Sequence, residues 1–321
     1  MSRALVLACT LAATTATVMA DPAPTRGNEP AQGVVEHSSV AVEPAGRAFK
    51  ELTIENPLGD IKVEGYNGNA IVIETTKRAP DTAALGRLRV SLVPNADGTV
   101  RISTAADSTV ESRPVSRGAV RIDLVIKAPH DARIDATTTT GDLEVDKMDA
   151  GGELDSAAGK ITVNSLSGSL FTHSVAGFTS LTAVFGSVDA QTLSSDVNLD
   201  TISGQKLVAS AHHGKIEGRR VRVQDVELST VDGKIRLEAE ASLHGRVVVS
   251  SLHGDIELRL RRTGPIIVRA RGNKVNLGPS GTNAMTKPNG WVEMSSGNTA
   301  DHPALVEMIS PLARIDFAFL Q

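Results

Sequence analysis

The chain has 321 residues and a formal net charge of −4, with 40% hydrophobic residues, 28 Gly and only 2% aromatic residues. That length suffices for one large core or two domains. The near-neutral charge and scarcity of rings argue against a dedicated nucleic-acid surface, and few rings also argue against a carbohydrate-stacking cleft.

The first twenty residues read as a secretory signal peptide. Arg3 forms a short basic start, Ala4 to Val18 is an apolar, small-residue run, and Val18-Met19-Ala20 precedes Asp21 as a small-x-small cleavage site. The run is too short, and too interrupted by Thr10, Thr14, Thr15 and Thr17, to anchor the chain across a membrane. Leu7-Ala8-Cys9 invites a lipoprotein reading, but the segment before Cys9 is too short for a signal. Cleavage after Ala20 removes the only cysteine, so the mature chain would hold its core without a disulfide and has no expected transmembrane segment.

Residues 21–48 carry Pro, Gly and Glu without periodicity and predict a flexible linker. Residues 49–135 predict an irregular β region that begins and caps a longer run of repeats, with strands at Phe49 to Glu55, Asp60 to Glu64, Ala70 to Thr75, Leu88 to Val93, Thr99 to Thr104 and Val120 to Lys127. Asn95-Ala96-Asp97-Gly98 has the composition of a hairpin turn, and a short helical turn fits Asp81 to Arg89. This stretch already contains one copy of the phrase that dominates the rest, Gly59-Asp60-Ile61-Lys62-Val63.

From 136 to 277 the phrase Gly-x-apolar-x-apolar stands at Gly141, Gly159, Gly186, Gly214, Gly233, Gly245 and Gly254; Gly159, Gly168, Gly177 and Gly186 follow one another at nine residues, as do Gly245 and Gly254, while Gly204 to Gly214 and Gly254 to Gly264 give ten, and weaker copies fill the gaps. A fixed short period means stacked units, none able to bury its apolar face alone. Period two within each unit means strand, because alternate side chains point to opposite faces. The fold class expected is therefore all-β, a parallel β-solenoid, with the number of units per coil left open between two and three. The glycines would supply the left-handed or closely packed backbone of tight corners. Leu166, Val175, Val184, Ile202, Val231, Leu243 and Leu252, each two residues before a corner, read as a third inward position. Residues 278–321 abandon the phrase and predict a loop rich in Gly, Asn, Ser and Pro, closed by a capping strand from Ala313 to Leu320.

The opening Ile54-Glu55-Asn56-Pro57-Leu58-Gly59-Asp60-Ile61-Lys62-Val63, the transitional Ala128-Pro129-His130 and the series beginning Thr140-Gly141-Asp142-Leu143-Glu144-Val145 resemble the bacterial "putative adhesin" β-repeat family of unknown function, over residues 49–277. The resemblance implies a secreted or envelope-attached solenoid without an assigned active site. It also leaves room for a periplasmic partner of an envelope-stress regulator.

Candidate chemistry is sparse. A calcium roll would need Asp after successive glycines, and this chain has Lys160, Lys215, Lys234 and Arg246 there as often as Asp142 or Asp255. His213, Asp232 and His253 each precede a corner glycine, so two-unit coils would stack them into a column able to approach Zn²⁺ or Ni²⁺; polar turn residues explain them equally well, and no metal or other cofactor is expected. Residues 205–274 hold fourteen Lys or Arg against eight Asp or Glu. Arg219, Arg220, Arg222, Arg259, Arg261 and Arg262 thus form a possible face for an anionic glycan, lipopolysaccharide phosphate or acidic protein. Asp142, Asp189, Asp196 and Asp255 would be the acids of a β-helix lyase or hydrolase, but short units leave little room for loops to wall a cleft. The function expected is that of an exported, non-enzymatic, adhesin-like binding or scaffolding protein of the periplasm or cell surface, with a polysaccharide-active enzyme as the alternative.

Overall fold

The computed structural model describes residues 33–44, 47–107, 120–298 and 302–320. The expected signal peptide and the first part of the expected linker lie outside these. The chain divides into two compact units, residues 1–152 and 153–321.

The first unit contains β1 Val34–Val42, β2 Glu51–Asn56, β3 Ile61–Tyr66, β4 Ile71–Ala79, α1 Thr82–Leu85, β5 Leu88–Pro94, β6 Thr99–Ala106, β7 Arg121–Pro129, β8 Arg133–Thr138 and β9 Leu143–Met148. Its chain order is not its stacking order. Leu52 of β2 pairs in parallel with both Val100 of β6 and Ile134 of β8. Ile61 of β3 pairs likewise with Leu124 of β7 and Leu143 of β9. The coil that opens the sequence pattern is therefore an interior coil, with Leu52, Ile54, Ile61 and Val63 essentially solvent-free. The antiparallel β4 and the β5–β6 hairpin lie beyond it, the latter turning at Gly98 with φ +93°.

One expectation needs correction here. Residues 34–42, read as linker, form β1 and pair with β4 over nine consecutive positions. The strand escaped a periodicity test because it serves as an edge: it buries only Val42, and its middle, Glu36-His37-Ser38-Ser39, faces outward or pairs with polar neighbours such as Lys77 and Thr76.

The second unit takes up β10 Gly152–Ser156, β11 Ile161–Ser167, β12 Leu170–Ser174, β13 Thr179–Phe185, β14 Val188–Thr192, β15 Val197–Ala211, β16 Ile216–Thr230, β17 Ile235–Ala241, β18 Arg246–Ser251, β19 Ile256–Arg262, β20 Ile266–Asn276, β21 Met285–Thr286, β22 Val292–Ser296 and β23 Ala304–Phe319. Parallel partners Ile161↔Thr179, Val197↔Ile216, Ile216↔Ile235 and Ile235↔Ile256 are 18, 19, 19 and 21 residues apart by subtraction. Two phrases therefore make one coil. Ile161, Val197, Ile216, Ile235, Ile256 and Ile315 stack into one inward column, each almost fully buried.

The two phrases of a coil end in physically different corners. At the first, Gly168, Gly186 and Gly204 have φ of +100°, +153° and +156°, and Leu166, Val184 and Ile202 point inward as expected. At the second, a buried Ser or Thr sits three residues before the glycine in most coils, Ala211 taking that place before Gly214. Ser156, Ser174, Thr230 and Ser251 each accept the N–H of Gly159, Gly177, Gly233 and Gly254 at 2.8–3.0 Å. Thr230 and Ser251 also donate to the carbonyl of the preceding coil's glycine, Gly214 and Gly233. This hydroxyl takes the inward position, so the alternation turns Val175 and Leu252 outward. Those two residues, like Leu243 at the corner before Gly245, are exposed rather than core.

The second-corner glycines are needed for space, not for a left-handed backbone. A Cβ at Gly177, Gly233 or Gly254 would lie 1.6–1.8 Å from the carbonyl oxygen of Gly159, Gly214 or Gly233. Ser195 occupies the same column, where its hydroxyl meets Thr192 and the Gly177 carbonyl.

The tail also differs from the expected cap. β23 is a full inner coil, inserted between β18 and β19 on one side and β20 on the other, all parallel. It buries Val306, Met308, Ile315 and Phe317, and Ser310 repeats the hydroxyl bond to the Gly254 carbonyl at 2.9 Å. The outer cover is supplied by β22, antiparallel to β20, and by β21.

Replacing Gly233 by Ala should cost about 3 kcal/mol or more, because the obstructing atom is backbone. Ser251→Ala should cost about 1–3 kcal/mol through its unsatisfied partners. Gly86→Ala, where the nearest atom to a Cβ is 3.6 Å away and the backbone is helical, should cost little. Urea unfolding midpoints of the three variants would check the order.

Candidate functional site

The face carrying the arginines is set by strand alternation around the inward column Val221, Ala239, Leu260 and Phe319. In register, Glu238 stands beside Arg259 and Glu240 beside Arg261, while Arg222 reaches Glu240 from the coil before at 3.3 Å. The result is not a uniformly positive surface. Arg219 approaches Glu217 at 3.9 Å, Arg220 pairs with Asp200, and Arg259 holds Glu257 at 3.0 Å. Burial pushes the Glu257 carboxyl up, but hydrogen bonds from Arg236 and Lys234 outweigh it and hold it below the usual carboxylate range.

Arg261 and Arg262 differ from the other four. The Arg261 side chain has no ion pair or hydrogen bond among the described residues. Arg262 donates to Ser296 and lies 5.7 Å from the centre of the Phe319 ring, which packs edge-on to Phe317. Together with Asn283, Ser295 and Leu320 they line a concavity of about 770 Å³. A smaller hollow of about 90 Å³ shares Arg261 and adds Arg220, Arg222, Glu238 and Glu240. The cleft thus offers two guanidinium groups, amide and hydroxyl partners and a ring, a donor set suited to carboxylate, sulfate or phosphate oxygens on a polar ligand. Five of its members, Asn283, Ser295, Ser296, Phe319 and Leu320, come from the tail. No local motif announces them; the pairing of β22 and β23 with β20 and β19 brings them there.

The expected histidine column forms. The Nδ1 atoms of His213 and His253 lie 2.6 and 2.8 Å from the two carboxylate oxygens of Asp232, one from each neighbouring coil. Hydrogen bonds from His253 and then His213 hold the Asp232 carboxyl below its ordinary range. Both Nδ1 atoms are engaged by the carboxylate, which is a bridged strut and not a converging ligand shell. No group of three metal-binding side chains converges among the described residues.

The candidate acids do not converge. Asp196 and Asp255 lie in one column three coils apart, about 14 Å at the usual strand spacing, beyond the about 6.5–9.5 Å at which paired carboxylates hydrolyse glycosides by inversion. Each also accepts a backbone N–H, from Lys215 at 2.8 Å and Arg314 at 3.0 Å. Asp189 projects from β14 and bonds Gln191. Asp142 belongs to the first unit.

With coils, corners and cleft in place, the chain can be set beside known proteins. The family model Toastrack DUF4097 matches residues 150–299. That segment resembles a Toastrack domain. Its bounds take in the arginine face, the histidine strut and most of the cleft, and the resemblance to a β-repeat family of unknown function stands. Among solved structures, a "putative lipid binding protein" from Parabacteroides distasonis aligns over 89% of this chain and 97% of its own, at 10% identity and TM-score 0.51. A "putative adhesin" from Bacteroides fragilis covers 88% and 97% at 13% identity and TM-score 0.41, and another from Parabacteroides merdae 88% and 96% at 11% and 0.39. Identities this low speak to fold alone. No curated protein matches the sequence.

Because the Asp232 carboxyl is more acidic in the folded chain, its contribution to stability is present above the ordinary carboxylate range and fades as pH falls through its lowered folded value. Asp232→Asn should therefore lower the melting temperature near pH 6, with the difference from the parent closing as pH falls below the ordinary carboxylate range. Melting curves across pH test this, and zinc added at pH 7 should leave the parent curve unmoved.

Proposed function

We propose that this protein is exported and works without catalysis, as an adhesin-like binding and scaffolding module of the periplasm or cell surface, and that its Toastrack-like segment engages an anionic glycan or an acidic protein at Arg261 and Arg262. The observation that carries the reading is the unpaired Arg261 beside Arg262 in a cleft lined with polar partners, on a face whose other four arginines are already held by carboxylates. An arginine left without a partner at the mouth of a concavity is poised to pair with an incoming anion at no cost to the fold. The stacked coils supply the rigid support such a cleft needs. Export rests on the leader-like first twenty residues, and no helix among the described residues is long and apolar enough to cross a membrane.

Arg261→Glu with Arg262→Glu should abolish binding to polygalacturonate measured by titration calorimetry, and the parent's affinity should fall steeply with added salt. Equal binding to neutral dextran, or a salt-independent affinity, would sink the reading. Placement is separable: a tagged chain digested by protease on intact cells is at the surface, one protected until the outer envelope is permeabilised is periplasmic, and one still protected then is not exported.

A further inference from the structure

The second-corner edge of residues 153–321 carries an unusual concentration of exposed apolar side chains. Val175, Leu193 and Leu252 are 38%, 48% and 45% exposed, and Leu312 is 59% exposed. These four and Phe178 make up five of the eight large hydrophobic residues exposed among the described residues of this unit, the others being Phe185, Leu243 and Met285. They are stacked, not scattered. Val175 donates its N–H to the Ser156 carbonyl, Leu193 to Ser174 and Leu252 to Thr230, so each sits one coil beyond the corner before it. Val175, Leu193 and Leu252 are turned outward by the buried hydroxyl that precedes each; between them the row passes through the exposed His212 and the half-buried Val231, and Leu312 stands one position further along, in the column of His253.

Beside this row, the residues directly after the corner position form a second one, which reads Lys160, Phe178, Asp196, Lys215, Lys234, Asp255 and Arg314 from coil to coil, Lys234 pairing with Glu257 at 3.3 Å and Arg314 with Asp316 at 2.7 Å. The carboxylates of this corner are turned toward their own chain. Asp196 and Asp255 accept backbone N–H groups, and Asp232 is clasped by two imidazoles. The Lys215 ammonium has no ion pair among the described residues, and that of Lys160 lies 5.8 Å from the Phe178 ring.

We propose that this edge lies on an anionic lipid bilayer, with the leucine and valine row dipping into the interface and the lysine row meeting lipid phosphates. An apolar row bordered by cations has the arrangement by which surface-lying amphipathic elements hold to membranes. A single file of side chains on a turn, about 24 Å long over five coil steps, is too narrow to supply the roughly 800 Å² per partner of a stable protein interface. It suits a surface whose headgroups part around it.

The test is flotation of the purified full-length protein with vesicles of phosphatidylcholine alone or mixed with phosphatidylglycerol, the amino-terminal apolar run being common to every variant. The parent should float with the anionic vesicles. Leu193→Asp with Leu252→Asp should lower the partition coefficient about tenfold or more, Lys215→Glu should weaken it less and flatten its salt dependence, and Leu243→Asp, at a different corner, should change nothing. All these positions are exposed, so melting temperatures should match the parent; if the double Asp variant melts early, Leu193→Ser with Leu252→Ser gives the same readout. Equal partition of parent and corner variants overturns the proposal. So does a parent that stays off both vesicles, and so does loss of self-association in place of lipid binding in the corner variants, which would give the row to a second copy.

Discussion

The distance of closest approach between successive coils at the second corner governs the second unit. There the carbonyl oxygen of one glycine occupies the space where a Cβ of the next would stand, 1.6 Å away at Gly177 and Gly233. Glycine leaves that atom out at Gly177, Gly214, Gly233 and Gly254, whereas Ser195 and Ala313 hold the same position in their coils, the Ser195 hydroxyl bonding the Gly177 carbonyl. The buried Ser or Thr three residues earlier completes the arrangement by satisfying the glycine N–H and, in several coils, the carbonyl below. Each coil is thereby tied to its neighbour through a polar ladder inside an otherwise aliphatic core.

The same ladder distributes the surface. Because the hydroxyl claims an inward position, the next apolar residue along the chain has no core to enter. Turned out at each corner, such residues line up by register alone into an exposed row. On the strand face beyond the opposite corner, register does the reverse with charge: Arg and Glu alternate from coil to coil, and most arginines are neutralised within the face. Only where β23 replaces the next regular coil, presenting Ala318 and Leu320 in place of acids, does the alternation stop and leave the Arg261 side chain without a partner among the described residues. The cleft is thus a consequence of the non-sequential insertion of the tail.

Both units share this departure from simple winding. In the first, β2 and β3 lie between coils formed later in the chain; in the second, β23 enters beneath β20. Each arrangement leaves antiparallel pairs outermost, β4 with β1 and β5 with β6 in one unit, β22 with β20 in the other. An antiparallel, polar or short outer strand is a poor template for another chain, which is how parallel stacks avoid growing.

The strands, their parallel stacking and the inward isoleucine column were legible in residues 136–277, since a nine-to-ten-residue period with internal period two admits few other solutions. Even the His213, Asp232 and His253 column could be read by counting, because register in a solenoid is arithmetic. The direction of Val175 and Leu252 could not, because two corners with the same spacing to glycine differ only in whether a hydroxyl precedes them and in the sign of φ. Nor could β1, whose partner and not its pattern makes it a strand, or the slot taken by β23, which lacks the glycine phrase yet supplies Ile315, Phe317 and Ser310 in register. Periodicity is a local property and fixes what repeats. Which coil receives the tail, and hence which arginine is left unpaired, depends on pairings across as many as 61 residues, from Arg246 to Glu307, and these exist only once the chain has closed on itself.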